Sequence, residues 1–251
     1  MLPPTVYQKI YETGRTGGVI VEVGTALGAA TVALAMGLKD SGSAGHVYSF
    51  DPMTGGPRRS ISTASDRLAR VQANLAHYGV LDRATVVPLA LADGIAALPE
   101  GANIDVLMLD ADGRIDRDLI LLKERMAPGC LLIIDDVADK VRVKPRGNVY
   151  SVDSKMRLSY LLVEFLKRGN VITTGQQLKD TYFGVWQGDA HGILTASPLL
   201  DVYRELTFQK SSRNRSAQLR AFLVRHLTQL APNVAAIGRR RYRERKYGMP
   251  A

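Results

Sequence analysis

Short apolar runs alternate with segments of helical period along most of the chain. Val19–Val23 is a β-rich run, and a glycine-bearing turn separates it from the helix-like Ala29–Lys39. The Gly/Ser loop Ser41–Gly45 leads to a second strand, His46–Phe50. In Ile61–Tyr78, the residues Leu68, Val71, Leu75 and Tyr78 share one helical face, and Gly79 supplies a stop. Ala84–Leu89 and Ile104–Leu109 predict the third and fourth strands. Arg117–Met126 predicts a helix ended by a Pro128–Gly129 turn, and Leu131–Ile134 a fifth strand. After a polar loop, Ser154–Lys167 lines up Leu158, Leu161, Leu162, Phe165 and Leu166 before Gly169. Val171–Thr174 and Thr181–Trp186 lie close enough to pair antiparallel. Strands alternating with helices at this spacing predict an α/β fold. The expected architecture is Rossmann-like and doubly wound, with a mostly parallel seven-stranded sheet and an antiparallel last strand. In such sheets ligands lie beyond the carboxyl ends of the strands.

Composition narrows the class. The chain has 251 residues, 46% apolar and 23% charged, which is the balance of a soluble globular protein and excludes a disordered one. No run approaches the roughly 18 apolar residues that a bilayer demands. The first residues lack the basic-then-apolar order of a secretory signal. Cys130 is the single cysteine, which excludes an internal disulfide and a cysteine-based metal site. The expected location is the cytoplasm, with no membrane partner.

Charge divides the chain. Of 33 basic residues 12 follow residue 200, against 3 of the 24 acidic ones, so the +9 net charge sits on a tail behind a neutral body. The reading is a ligand-binding domain at 1–190 and a basic, mainly helical extension at 191–251. Within the extension, Leu219, Phe222, Leu223, Leu227 and Leu230 form one helical stripe, expected to pack on the body or on a second subunit of a homo-oligomer. The basic run Arg239–Lys246 reads as a solvated end or a handle for an anionic partner.

Three groups of residues carry candidate chemistry. Glu22-Val-Gly24-Thr25-Ala26-Leu-Gly28 ends the first strand and opens a helix, where glycines allow close backbone approach and free N–H groups face a ligand. Ala26 stands where a dinucleotide-binding turn has its second glycine, which disfavours an NAD site. Asp51, followed by Pro52, ends the second strand and is placed to accept hydrogen bonds from both hydroxyls of a ribose. Asp110 and Asp112 follow the fourth strand, Asp135 and Asp136 the fifth. Clustered carboxylates at buried strand ends need a cation to offset their repulsion, and hard oxygen donors suit Mg²⁺ or Ca²⁺. Asp112 and Asp116 read instead as caps or partners of Arg114 and Arg117.

Together these motifs resemble the class I S-adenosylmethionine-dependent methyltransferases, over about residues 18–187. Glu22-x-Gly24-x-x-x-Gly28 is similar to their first motif, Asp51 to the acid that binds the cofactor ribose, and Leu107–Asp112 and Leu122–Asp136 to their later motifs. The resemblance implies cofactor contacts at Glu22, Gly24, Thr25, Gly28, Asp51, Pro52 and Asp110. Within that class, Asp110, Asp135 and Asp136 resemble the metal triad of small-molecule O-methyltransferases of the catechol, caffeoyl-CoA and macrolide or aminocoumarin sugar types. That implies a divalent cation, Mg²⁺ in the first instance, and a small-molecule hydroxyl as acceptor. There are departures: the catechol enzymes carry a lysine where this chain has Gly113, and only 18 residues precede Val19. The catalytic candidates are Asp110, Lys140 and His191. Lys140 belongs to a basic loop reaching to Tyr150, a possible lid. The competing reading is a nucleic-acid methyltransferase using the basic tail. Its amino-methylating motif is absent, since the matching position reads Asp110-Ala-Asp112-Gly113.

Overall fold

The computed structural model describes residues 2–54, 63–146, 149–189 and 191–208, then residues 219, 222, 223, 226, 227, 230, 231, 234 and 237; the side chains of 144–151, 207 and 208 are outside the description. Two compact units are distinguished, Met1–Val202 and Tyr203–Ala251.

The first unit opens with helix α1 (Pro4–Gly14), followed by β1 (Val19–Val23), α2 (Ala29–Asp40) and β2 (His46–Phe50). Next come α3 (Ala64–His77), β3 (Ala84–Val87), the short α4 (Leu91–Gly94), β4 (Ile104–Leu109), α5 (Ile115–Leu122) and β5 (Met126–Ile134). A hairpin of β6 (Arg142–Arg146) and β7 (Val149–Asp153), then α6 (Lys155–Arg168), β8 (Gln176–Leu178) and β9 (Thr181–Val185) complete the sheet-forming part, and α7 (Ala196–Phe208) follows. The main sheet has seven strands in the order β3-β2-β1-β4-β5-β9-β8. Strands β3 to β5 in that order are parallel, whereas β9 runs antiparallel to β5 and β8 antiparallel to β9. The expected fold class is present.

The central strands are apolar because both faces are covered. Ile20, Val47, Val106, Met108 and Ile133 are fully buried, with Val6 and Ile10 of α1, Leu34 and Leu38 of α2, and Val71 and Leu75 of α3 packed in one core cluster with them. Helix α3 begins at a capping box in which Thr63 accepts from the Asp66 backbone N–H and Asp66 accepts from that of Thr63. The helix start expected at Ile61 lies outside the described residues.

Several boundaries differ from the sequence reading. The helix expected over Arg117–Met126 begins at Ile115 and ends at Leu122, with one 3₁₀ turn over Lys123–Arg125. Pro128–Gly129 ends no helix: it lies within β5, where the register with β4 jumps from Ile104↔Met126 to Val106↔Leu131. Gly129 donates to the Trp186 carbonyl, so the turn residues form an irregularity inside a strand. Val171–Thr174 contributes only the bridge Ile172↔Trp186, and the edge strand is the polar β8. The loop expected before Ser154 contains the β6–β7 hairpin, paired from Arg142↔Asp153 to Arg146↔Val149.

In the second unit, Leu219, Phe222, Leu223, Leu227 and Leu230 are helical and 46% to 84% exposed. Phe222 stacks on His226, with ring centroids 4.0 Å apart. The run Arg239–Lys246 lies outside the described residues. No helix among the described residues is long and apolar enough to cross a membrane.

Candidate active site

Register brings the candidate residues to one end of the sheet. Val23 pairs with Phe50 on one side and Leu109 on the other, and Leu109 pairs with Ile134. The residues that follow these strand ends therefore emerge side by side.

The turn after β1 is a backbone cradle. Gly24 has φ +103°, and a Cβ there would stand 2.3 Å from the Asp110 carbonyl oxygen. No other residue fits between the ends of β1 and β4. Ala26 is left-handed at φ 51°, and Gly28 caps α2 at φ +81°. Beneath this turn Glu22 is fully buried. Its Oε2 accepts from Thr31 Oγ1 at 2.6 Å and from Ser49 Oγ, and Ser49 Oγ lies 2.6 Å from Thr25 Oγ1. Burial pushes the Glu22 carboxyl up to about 7, against the hydrogen bonds of Ser49 and Thr31. Its Oε1 has no hydrogen-bond partner among the described residues. Glu22 thus supports the loop from below through Ser49 and Thr25.

Asp51 clamps the other wall. Its Oδ2 accepts from Ala26 N–H at 3.0 Å and its Oδ1 from Met53 N–H at 2.7 Å. Both donors belong to left-handed non-glycine residues, Met53 at φ 58°. Pro52 between them is exposed and Met53 buried, with its carbonyl held by Arg67 at 2.9 Å. Glycine cradle, α2 N-terminus and carboxylate fit a nucleoside-bearing ligand with vicinal hydroxyls.

Beside the cradle stand Asp110, Asp135 and Asp136, each offering one oxygen, all within 4.8 Å of one another. Asp110 is pushed up to about 6, chiefly by burial, with Lys155 opposing. Asp135 is buried and also raised, chiefly by burial; Thr181 Oγ1 donates to its Oδ1 at 2.6 Å. Asp136 adopts φ 56°, turning its side chain back toward the cluster. Three hard oxygen donors at this spacing fit a small divalent cation.

The expected Asp112 and Asp116 pairings hold: Asp112 binds Arg117 at 2.9 Å, and Asp116 lies 3.4 Å from Arg114. Lys140 lies past the end of β5, and its Nζ is held 2.7 Å from Asp180 rather than by a carboxylate of the cluster. His191 is exposed and is not brought to the cluster. It follows β9, which is antiparallel, so that strand ends beside Leu131 at the far end of β5. Nearby Asp189 pairs at 3.6 Å with Lys123, just before β5. The side chain of Tyr150 lies outside the described residues.

Three residues were not singled out in the sequence. Lys155 Nζ bridges Asp110 Oδ1 at 3.0 Å and Asp136 Oδ2 at 2.9 Å. Arg142, at the base of the hairpin, reaches 3.4 Å from Asp136. The Tyr7 hydroxyl of α1 is raised chiefly by burial and further by the fields of Asp110, Asp135 and Glu22. One signal for Lys155 was available: a cation at the first position of a helix opposes the macrodipole and needs another reason.

Residues 21–137 match the model of a family described as a methyltransferase domain. No curated protein matches the chain. Among solved structures, an O-methyltransferase from Bacillus cereus in complex with SAH is 18% identical, covering 74% of this chain and 83% of that one, with a TM-score of 0.54. The O-methyltransferase TomG from Streptomyces achromogenes, involved in tomaymycin synthesis and bound to SAM, is 16% identical, covering 75% and 82%, with a TM-score of 0.55. At such identities the likeness concerns the fold. Sheet order, glycine cradle and domain match together define a class I methyltransferase fold. Residues 21–137 thus carry an S-adenosylmethionine-dependent methyltransferase domain.

Proposed function

We propose that the chain methylates a hydroxyl of a small molecule, with a divalent cation, Mg²⁺ in the first instance, held by Asp110, Asp135 and Asp136. The observation that carries this reading is the convergence of three carboxylate oxygens within 4.8 Å beside the glycine cradle. The structural neighbours from Bacillus cereus and Streptomyces achromogenes are O-methyltransferases, which supports oxygen as the acceptor atom.

The residues divide the work. Asp51 binds the cofactor ribose hydroxyls, and Gly24, Thr25, Gly28 and Pro52 line its path. Glu22 positions Thr25 through Ser49. Asp110 joins the two halves of the site, because its carbonyl backs the cradle and its carboxylate enters the cluster. A bound divalent ion supplies Lewis acidity that lowers the pKa of a substrate hydroxyl. The sulfonium methyl is already reactive, so the protein mainly aligns donor and acceptor in line. Lys140 would act as proton acceptor only after leaving its ion pair with Asp180 and losing its proton.

The test is methyl transfer to a panel of hydroxylated small molecules, with and without EDTA. Activity should vanish in EDTA and return with Mg²⁺ or Mn²⁺. Asp136→Ala should lose turnover while keeping most of its cofactor affinity. Full activity in EDTA overturns metal assistance, and a product methylated at nitrogen or on nucleic acid overturns the acceptor.

A further inference from the structure

The carboxylate cluster already holds a cation of the chain's own. Lys155 is the first residue of α6, and its Nζ lies 3.0 Å from Asp110 Oδ1 and 2.9 Å from Asp136 Oδ2. Two of the three carboxylates that would face a divalent ion are thus engaged by an ammonium. Local helix chemistry does not ask for a lysine there. The macrodipole opposes it, and the one carboxylate at the helix start, Asp153, is engaged by the Lys155 backbone N–H at 3.1 Å. The site admits it instead. Gly113 has φ +84°, and a Cβ on it would stand 3.0 Å from Lys155 Cγ and 3.0 Å from the Lys155 carbonyl oxygen. The lysine stem therefore runs across a position kept bare. Its ammonium lies between the two carboxylates.

An ion coordinated at about 2.1 Å by the same carboxylates would share their space with Nζ, and two cations so close repel strongly. We propose that Lys155 is an internal competitor for the divalent cation: its ammonium holds Asp110 and Asp136 together in the ion-free protein, and the ion enters only as Nζ withdraws. The lysine then sets the cation affinity of the site and lets the fold form without metal. Arg142, 3.4 Å from Asp136, stands at the rim and further limits the excess negative charge. This inference rests on the cation-pocket reading of the carboxylates.

Mn²⁺ binding to the full-length protein, read from the paramagnetic resonance of the free ion, tests it apart from catalysis. Lys155→Met and Lys155→Gln should each bind Mn²⁺ at least tenfold more tightly than the wild type, and Lys155→Arg within threefold of it. Without metal the Met variant should melt lower than the wild type, and saturating Mg²⁺ should raise it more. A measurement on the unaltered protein guards against misfolded variants. Acetylation of Lys155 by acetic anhydride, read by mass spectrometry, should speed up when Mn²⁺ saturates the site. Equal affinity in the wild type and a folded Gln variant, or unchanged labelling at saturation, overturns the competition and leaves the cation pocket standing. Saturable binding by none of the proteins overturns the pocket itself, and the inference with it.

Discussion

Asp51→Ala offers a sharp test of the cofactor cleft. The carboxylate does two things at once. Each of its oxygens accepts one backbone N–H, from Ala26 at 3.0 Å and Met53 at 2.7 Å, and each keeps a lone pair for a ribose hydroxyl. A hydrogen bond to a charged acceptor is worth about 1.5–3 kcal/mol, so loss of the two ribose bonds removes about 3 kcal/mol or more of binding. That corresponds to at least roughly 10²-fold in Kd. The same substitution frees two left-handed residues whose conformations each cost about 1 kcal/mol or more to maintain. The loop then has to be ordered at the expense of binding, which pushes the loss further. Asp51→Asn separates the contributions, because it keeps one acceptor oxygen and should lose only about tenfold, on the order of 1.4 kcal/mol. Calorimetric titration with S-adenosylmethionine measures both variants. A folded Ala variant, checked by near-UV dichroism, that binds within threefold of the wild type refutes the assignment of Asp51 to the ribose.

Other expectations follow from the same geometry. Gly24→Ala puts a methyl 2.3 Å from the Asp110 carbonyl oxygen at a φ of +103°, and should destabilise the fold by about 1–3 kcal/mol in urea unfolding; an unchanged midpoint contradicts the close approach. Glu22 is raised to about 7 in the fold from an ordinary 4.5, so the folded chain binds the extra proton between those values. Its contribution is full below pH 4.5 and lost as pH rises through 7, about 3 kcal/mol in all. Glu22→Gln should therefore gain on the wild type between pH 4.5 and pH 8, and parallel unfolding profiles would dismiss the buried proton. Deleting the residues after Ile237 should leave the affinity for a duplex oligonucleotide unchanged at physiological salt. A salt-sensitive gel shift lost on that truncation would instead favour a nucleic-acid partner.

The sequence made one half of this site legible, and the reason is local. Parallel strands buried on both faces are written as apolar runs, and the residue that ends each run must face the ligand end of the sheet. Phe50-Asp51, Leu109-Asp110 and Ile134-Asp135 announce themselves because a carboxylate follows a buried hydrophobe. Edge elements lack that contrast. Strand β8 is Gln-Gln-Leu, and the β6–β7 hairpin exposes Val143 and Val152, so neither shows the pattern of a covered strand. Helix α1 is visible only by its docking: Gly14 and Gly37 let α1 and α2 approach so closely that a Cβ on either would meet the other helix's backbone within 2.5 Å. His191 misleads because a residue after a strand reaches the ligand face only if the strand is parallel, and β9 is not.

Lys155 is the instructive omission. In the chain it is the first residue of an amphipathic helix whose buried face is set by Leu158, Leu161, Leu162 and Leu166. That face fixes the helix against the sheet, and with it where the first turn points. The partner carboxylates lie 45 and 19 positions earlier and belong to two different strand ends. No periodicity connects them. The connection is made by the β4–β5 register, which sets Asp110 beside Asp135 and Asp136, and by Gly113, which leaves room for the lysine stem. Strand ends determine where negative charge collects. Helix packing then determines which cation can reach it, and the affinity of the site for any other cation follows from that contest.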